Sequence, residues 1–203
     1  MTIIGITGGS GAGKTSALRA LSALGALVID CDAVYHELLL SSTEMLTELD
    51  GSFDGVVVDG RLDRTKLGEI VFSDPKALKK LSEIARRYVG DEVKERLAEW
   101  EKADGKAAAI DAIGLVEGNL KELCAFLVAI TAPEETRLDR IIARDGITRE
   151  QAKRRISAQR SDSYFVENCD YTIENAYATA AEFEEKCREF FAEKLGGEIS
   201  DGR

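Results

Sequence analysis

The sequence predicts a three-layer α/β fold built on a parallel five-stranded sheet, and three observations carry that reading. Five short apolar runs recur along the 203-residue chain, helical periodicities separate them, and a glycine-rich loop joins the first run to the first helix. The runs are Thr2–Thr7, residues 26–30, Ala107–Asp111, Phe126–Thr131 and Tyr171–Glu174. Their brevity and helical flanks suit buried parallel strands linked by strand–helix–strand crossovers.

Each connecting element follows from spacing and punctuation. Leu18, Leu21 and Leu24 give the first helix an apolar face, and Gly25 supplies its stop. The stretch between the second and third runs is too long for a simple crossover. Within it Asp63 can cap a helix carrying Leu67, Ile70 and Val71, and Asp74-Pro75 opens another, proline being tolerated at the first helical position. That second helix would line one face with Leu78, Leu81, Ile84 and Tyr88, continued by Val89, Val93, Leu97 and Trp100. Residues 33–104 are therefore expected to form a helical insertion beside the sheet, of the kind that holds a second substrate. Near the end Phe183, Cys187, Phe190, Phe191 and Leu195 recur at helical spacing. Gly196-Gly197 should end that helix, and residues 198–203 should form a frayed tail.

Gly8 to Thr15 reads Gly-Gly-Ser-Gly-Ala-Gly-Lys-Thr and fits G-x-x-x-x-G-K-[ST], with an apolar strand before it and a helix after it. That context makes it a phosphate-binding loop for a nucleoside triphosphate. Backbone N–H groups of Gly9, Ser10, Gly11, Ala12 and Gly13 would wrap the anion, and the helix dipole would add positive potential. Lys14 would reach the terminal phosphates, the Thr15 hydroxyl would ligate Mg²⁺, and Ser16 continues the binding segment.

Composition narrows the possibilities. A formal net charge of −10 argues against a broad nucleic-acid surface. No apolar stretch approaches a membrane span, and the N-terminus lacks a basic leader, so a cytoplasmic protein with no membrane partner is expected. Cys31, Cys124, Cys169 and Cys187 form no C-x-x-C pair and read as reduced core residues. A monomer or weak homo-oligomer is expected.

The second run ends in Ile29-Asp30-Cys31-Asp32. In an open parallel sheet, ligands bind outside the carboxyl ends of the strands, so Asp30 and Asp32 should project towards the γ-phosphate. One carboxylate can accept a hydroxyl proton during phosphoryl transfer, and one can simply cap the next helix. Asp111, closing the third run, suits a carboxylate that holds Mg²⁺ through water. His36, the single histidine, lies one helical turn beyond Asp32 and suits a structural or peripheral substrate role.

Residues 137–160 reverse the charge of the chain, with eight basic side chains against three acidic ones. Arg137, Arg140 and Arg144 share one helix face, about 120° from Leu138, Ile141 and Ile142. Thr148 and Gln151 form a capping-box pattern that opens a second helix. The pair of helices, within residues 133–165, is expected to act as a lid whose guanidinium groups meet transferring phosphates.

With these residues in place, the chain resembles the dephospho-coenzyme A kinases, in the P-loop nucleoside-monophosphate-kinase-like group. The resemblance spans nearly the whole chain through IDCDAVYHELL, DGRLDRTKLGEIVFSDPKALKKL, the stretch ending in RISAQR, and CDYTIEN. It implies a three-layer P-loop fold with a helical substrate-binding insertion and a helical lid. It also implies ATP-dependent, Mg²⁺-assisted phosphorylation of the ribose 3′-hydroxyl of dephospho-coenzyme A. A nucleoside or nucleotide kinase of the same mechanism is the alternative. By resemblance, Asp32 engages the acceptor hydroxyl, Lys14 and Thr15 contact phosphate and magnesium, and Arg140 stabilises transferred charge with Arg144 beside it. Asn175 resembles a residue of the adenine-binding loop, and His36, Leu62, Arg64 and Glu117 fall on the acceptor side. Two stretches depart from the family pattern. Arg86-Arg87 replaces a frequent His-Pro pair, and residues 111–117 keep Asp111, Leu115 and Glu117 but lose a proline and a phenylalanine. Arg86 and Arg87 could meet phosphates of the acceptor.

Overall fold

A computed structural model describes residues 1–196, so Gly197 and the tail expected at 198–203 lie outside the described residues. Internal contacts divide the chain into two compact units. One joins Met1–Ile29 to the chain from Trp100 onward, and the other is Asp30–Glu99.

The sheet contains β1 (Thr2–Thr7), β2 (Leu27–Asp30), β5 (Ala107–Asp111), β6 (Phe126–Thr131) and β7 (Tyr171–Glu174), in the order β2-β5-β1-β6-β7. The expected strands recur, except that β2 starts one residue late because the Ala26 N–H is drawn back to the Leu21 carbonyl. β1 runs parallel to both neighbours, with Ile6 opposite Asp111 on one side and opposite Val128 on the other. β6 pairs with β7 in the same sense.

Strand alternation assigns the faces. Ile4, Ile6, Ala107, Ala109, Val128 and Ile130 meet α1 (Lys14–Ala23) and α9 (Ala180–Lys194) through Ala17, Ala20, Leu21, Phe183, Cys187 and Phe191. Ala108, Ile110, Leu127 and Ala129 are buried on the opposite face, where α8 (Asp162–Asn168) lies against β6. Burial on both faces is why the strands read as nearly continuous apolar runs. Cys31 and Cys187 are buried as expected, whereas Cys124 and Cys169 are only half-buried; burial pushes the Cys124 and Cys187 thiols up to about 12.

Also in this unit, α6 (Glu134–Asp145) and α7 (Arg149–Ser157) form a hairpin around Leu138, Ile141 and Ala152. Gly146 ends α6 in the left-handed region at φ 63°, and both halves of the Thr148–Gln151 capping box are present.

The second unit has its own core of Leu39, Met45, Leu49, Phe53, Val56, Leu67, Val71 and Ile84. It comprises α2 (Cys31–Ser41), α3 (Thr43–Phe53), α4 (Arg64–Ser73) and most of α5 (Pro75–Lys102). Asp63 caps α4 by accepting the Lys66 N–H, and Pro75 opens α5. Leu78 does not join the buried stripe expected of it; it is exposed in the first turn of α5. A hairpin of β3 (Val57–Val58) and β4 (Arg61–Leu62), turning through Asp59 and Gly60 at positive φ, has strands too short for a sequence pattern.

Phe191 is fully buried between α1 and the sheet-facing side of α9. Phe191→Ala should cost about 3–5 kcal/mol in equilibrium denaturation. A loss under about 1 kcal/mol would show that this face of the sheet is not close-packed.

Candidate active site

β1 delivers the chain to residues 8–15 at the carboxyl edge of the sheet, where strand order reverses on either side of it. Such a switch point is where open α/β sheets bind ligands. Three glycines of the loop are required by conformation. Gly8 has φ 140°, Gly11 has φ 79° and Gly13 has φ 105°. A Cβ at Gly8 would stand 2.2 Å from the Ile130 carbonyl oxygen.

The orientation of the loop can be read from its carbonyls. Lys14 Nζ donates to Gly8 at 3.0 Å, and the Ala12 N–H donates to Gly9 at 3.2 Å. Arg137 Nε donates to Ser10 at 2.9 Å, and Arg140 Nη1 donates to Gly11 at 3.2 Å. Asn175 Nδ2 donates to Ala12 at 2.9 Å, and the Ser16 N–H donates to Gly13 at 3.0 Å. Every carbonyl from Gly8 to Gly13 is therefore accounted for. Among the described residues all peptides are trans, so the N–H of each peptide unit points opposite to its carbonyl. Fixing Ser10 and Ala12 outward thus turns the Gly11 and Gly13 N–H groups the other way, the convergent geometry of an anion nest.

Charge reinforces the reading. α1 begins at Lys14 with no side-chain cap and no acidic residue in its first turn. By contrast α2, α3, α4, α7, α8 and α9 are closed by Asp30, Ser42, Asp63, Thr148, Ser161 and Thr179. Lys14 and Arg140 are both half-buried, and each donates to neutral oxygens, Arg140 reaching also Asn175 Oδ1 at 3.2 Å. Two cations without a carboxylate partner among the described residues thus flank one dipole end.

Residues Gly9 to Ser16, Arg140 and Asn175 form one cluster. Thr15 is exposed in the first turn of α1, whereas Ser16 is buried. Asn175 is 2% exposed, its side chain committed to Ala12 and Arg140, so here it anchors the loop. Asp111 closes β5 beside Ile6, at the same sheet edge. Arg144 lies further along α6, exposed and bonded to Asp145 at 2.7 Å, which raises the guanidinium pKa and lowers that of the carboxylate. Glu117 accepts from Arg160 Nε at 3.2 Å.

Arg137 corrects the expectation of a shared exposed arginine face. It is 4% exposed, with Nη1 on Asp162 Oδ1 at 2.7 Å. Gln159 lies in the RISAQR stretch but carries no assigned role there. Its Oε1 accepts the Ser10 N–H at 2.8 Å and its Nε2 donates to Ser10 Oγ at 2.9 Å, so the Ser10 N–H expected to wrap the anion is already committed. A pattern of helix faces cannot register either residue, because both are fixed by contacts over a hundred positions distant.

In the second unit, Asp30 is the cap: its Oδ1 accepts the N–H groups of Asp32 and Ala33 at 2.9 and 3.1 Å. Asp32 is exposed in the first turn of α2 and, among the described residues, makes no side-chain hydrogen bond or ion pair. His36 follows one turn later, also exposed, with its ring 5.7 Å from that of Tyr35. Burial raises the Tyr35 pKa, and nearby Arg64 partly opposes the rise. α2 packs against β4, bringing Leu62 and Arg64 to the same helix. The two arginines at 86 and 87 divide. Arg87 pairs with Glu48, which also accepts from Tyr88 at 3.0 Å, and this arginine hydrogen bond holds the Glu48 carboxyl below its usual range. Arg86 is exposed.

Comparison with known proteins adds the decisive observation. The family model described as CoaE, dephospho-CoA kinase, matches residues 2–181. The chain belongs to the dephospho-CoA kinase family. A dephospho-CoA kinase of Thermobifida fusca is 36% identical over 195 residues, 95% of this chain and 96% of its own. A protein of known crystal structure from Thermus thermophilus superposes with TM-score 0.79 at 30% identity, covering 97% of this chain and 98% of that one. The dephospho-CoA kinase from Campylobacter jejuni superposes with TM-score 0.70 at 25% identity, covering 96% and 98%. All candidate residues from Gly9 to Asn175 fall inside the span matched to the dephospho-CoA kinase family.

Gly8→Ala drives a side chain onto the Ile130 backbone at a φ that L residues rarely adopt. ATP binding by titration should be lost, and wild-type affinity in this variant would refute the loop geometry.

Proposed function

We propose that this protein transfers the γ-phosphoryl group of ATP to the ribose 3′-hydroxyl of dephospho-coenzyme A, yielding coenzyme A and ADP. The observation that carries the reading is the family match from residue 2 to 181, on a chain whose phosphate loop is intact. The bond between the γ-phosphorus and its bridging oxygen breaks with its electrons leaving on ADP. A bond forms from the 3′-oxygen to phosphorus, and the hydroxyl proton passes to Asp32.

Each assignment has a physical reason. Asp32 is an exposed carboxylate whose neighbour Asp30 already caps the helix, so its oxygens stay available as a base. Lys14 and Arg140 stabilise charge on the transferring group, because a cation bonded only to neutral oxygens gains by exchanging them for phosphate. Arg144 and the loop residues Gly9 to Ser16 complete the donor side, with Asn175 holding the loop in register. His36, Leu62, Arg64, Arg86 and Glu117 belong to the acceptor side in this reading.

Magnesium fits the residues present. Thr15 and Asp111 offer hard oxygen ligands at one sheet edge, the aspartate through water. Among the described residues no three His, Cys, Asp or Glu side chains converge, which suits an ion that takes most of its ligands from phosphate and water. When bound, the ion neutralises charge on the transferring phosphates. No helix among the described residues is long and apolar enough to cross a membrane, and we place the enzyme in the cytoplasm without nucleic-acid partners.

ATP·Mg²⁺ offered with dephospho-coenzyme A should add one phosphate by mass, and nucleoside monophosphates should not compete; comparable turnover of any of them would overturn the acceptor assignment. Asp32→Asn should lower kcat about a hundredfold or more while ATP affinity holds, as loss of a general base predicts. Loss of ATP affinity instead would make Asp32 a structural or metal residue. Arg86→Ala should raise the acceptor KM by about threefold or more if this exposed cation meets acceptor phosphate. An unchanged KM would remove Arg86 from the acceptor side.

A further inference from the structure

Burying an arginine is costly unless its charge and all its donors are matched. Arg137 is 4% exposed and only partly matched: Nε bonds Ser10, Nη1 bonds Asp162, and Nη2 has no hydrogen-bond partner among the described residues. That Nη2 lies against the phosphate loop, since a Cβ built on Gly9 would stand 2.2 Å from it and 2.8 Å from the guanidinium carbon. Gly9 does not have a positive φ, so its want of a side chain is explained by this contact rather than by backbone conformation. The backbone carbonyl oxygen of Arg137 also lies close to Gly11, 2.7 Å from the site of a Cβ there, although Gly11 already holds a positive φ of 79°. One residue of α6 therefore accounts for Gly9 and for the direction of the Ser10 carbonyl, and its backbone crowds Gly11 as well.

We propose that Arg137 is a positioning residue for the donor nucleotide. By holding the Ser10 carbonyl outward it aims the Gly11 N–H into the anion nest, and its charge lies directly beneath Gly9. Asp162, in the first turn of α8, fixes the far side of the guanidinium. The planar fork can bond Ser10 and Asp162 at once, which a lysine ammonium at the same place cannot do with the same geometry. The proposal rests on the donor half of the reading above and is independent of which acceptor is used.

The test is nucleotide titration of the full chain with ATP·Mg²⁺ and no acceptor, beside steady-state kinetics and melting of the ligand-free protein. Arg137→Gln and Arg137→Lys should each weaken ATP binding about tenfold or more and raise the KM for ATP in parallel, as loss of a buried charged hydrogen bond predicts. The acceptor KM should move less than about twofold, since that term involves other residues. Gly9→Ala should also weaken ATP, and Gly9→Ala combined with Arg137→Ala should be no worse than Arg137→Ala alone, because the clash disappears with the guanidinium. Should the Arg137 variants fail to fold, Asp162→Asn, which keeps the shape of its side chain, should still weaken ATP about threefold. ATP affinity within about twofold of wild type in the folded Arg137 variants, whatever their melting temperature, overturns the proposal, as does an additive double mutant. With the Arg137 variants unfolded, an unchanged affinity in Asp162→Asn overturns it as well. A wild-type chain that binds no ATP would overturn the donor reading and this proposal together.

Discussion

The phosphate loop works only if its N–H groups face inward, and that requires something to hold its carbonyls outward. Here the holders are side chains drawn from two other places: Arg137 from α6 on the Ser10 carbonyl, and Asn175 from the end of β7 on the Ala12 carbonyl. Strand register delivers them. β6 lies beside β1, and α6 follows β6 directly. β7 lies beside β6, so Asn175 arrives next to Thr131, whose carbonyl accepts its N–H at 2.7 Å. The five-stranded sheet is therefore the jig in which the loop is assembled, and its buried alternation of Ile, Val and Ala is what makes the jig rigid.

Charge is distributed with the same economy. The excess of arginine in residues 137–160 suggests a broad basic surface, yet most of it is neutralised locally. Arg144 and Arg155 share Asp145, Arg149 pairs with Glu135, and Arg160 pairs with Glu117. Such exposed pairs contribute little to stability, but they remove long-range positive potential from the hairpin. The positive potential that remains uncompensated against the loop comes from Lys14 and Arg140. An acidic chain thus presents a compact cationic site rather than a basic face, which suits a small polyanion and explains why net charge gave no hint of it.

Legibility in the sequence followed the range of the interactions involved. The strands were readable because burial on both faces leaves an unbroken apolar signature, and the caps at Asp63, Pro75 and Thr148 because capping is local. The identity of the cap at the end of β2 was not readable: Asp30 and Asp32 offer the same chemistry two positions apart, and only the hydrogen bonds to Asp32 and Ala33 single out Asp30. The β3–β4 hairpin was hidden because two-residue strands show no alternation. Arg137 was misassigned for a physical reason as well. Helical spacing groups it with Arg140 and Arg144, whereas the glycines that make room for it lie more than a hundred residues earlier. Periodicity describes one element, and a buried charge is decided by what stands opposite.

The same contacts constrain how the α6–α7 hairpin can move. Arg137 stands at the root of α6 and Gln159 just beyond the end of α7, and both are bonded to Ser10, the first to its carbonyl and the second to its N–H and hydroxyl. A rigid swing about the two roots would have to break all three of these bonds, and the Arg140 bonds to Gly11 and Ala12 with them. Bending near the tip breaks none of them. There Gly146 already holds a left-handed conformation, the flanking packing thins to Ile142, Ile147 and Ile156, and Arg144 and Arg155 compete for one aspartate. The roots are therefore tied to the phosphate loop by side-chain hydrogen bonds, whereas the tip at 144–148, which carries Arg144, makes none to it among the described residues.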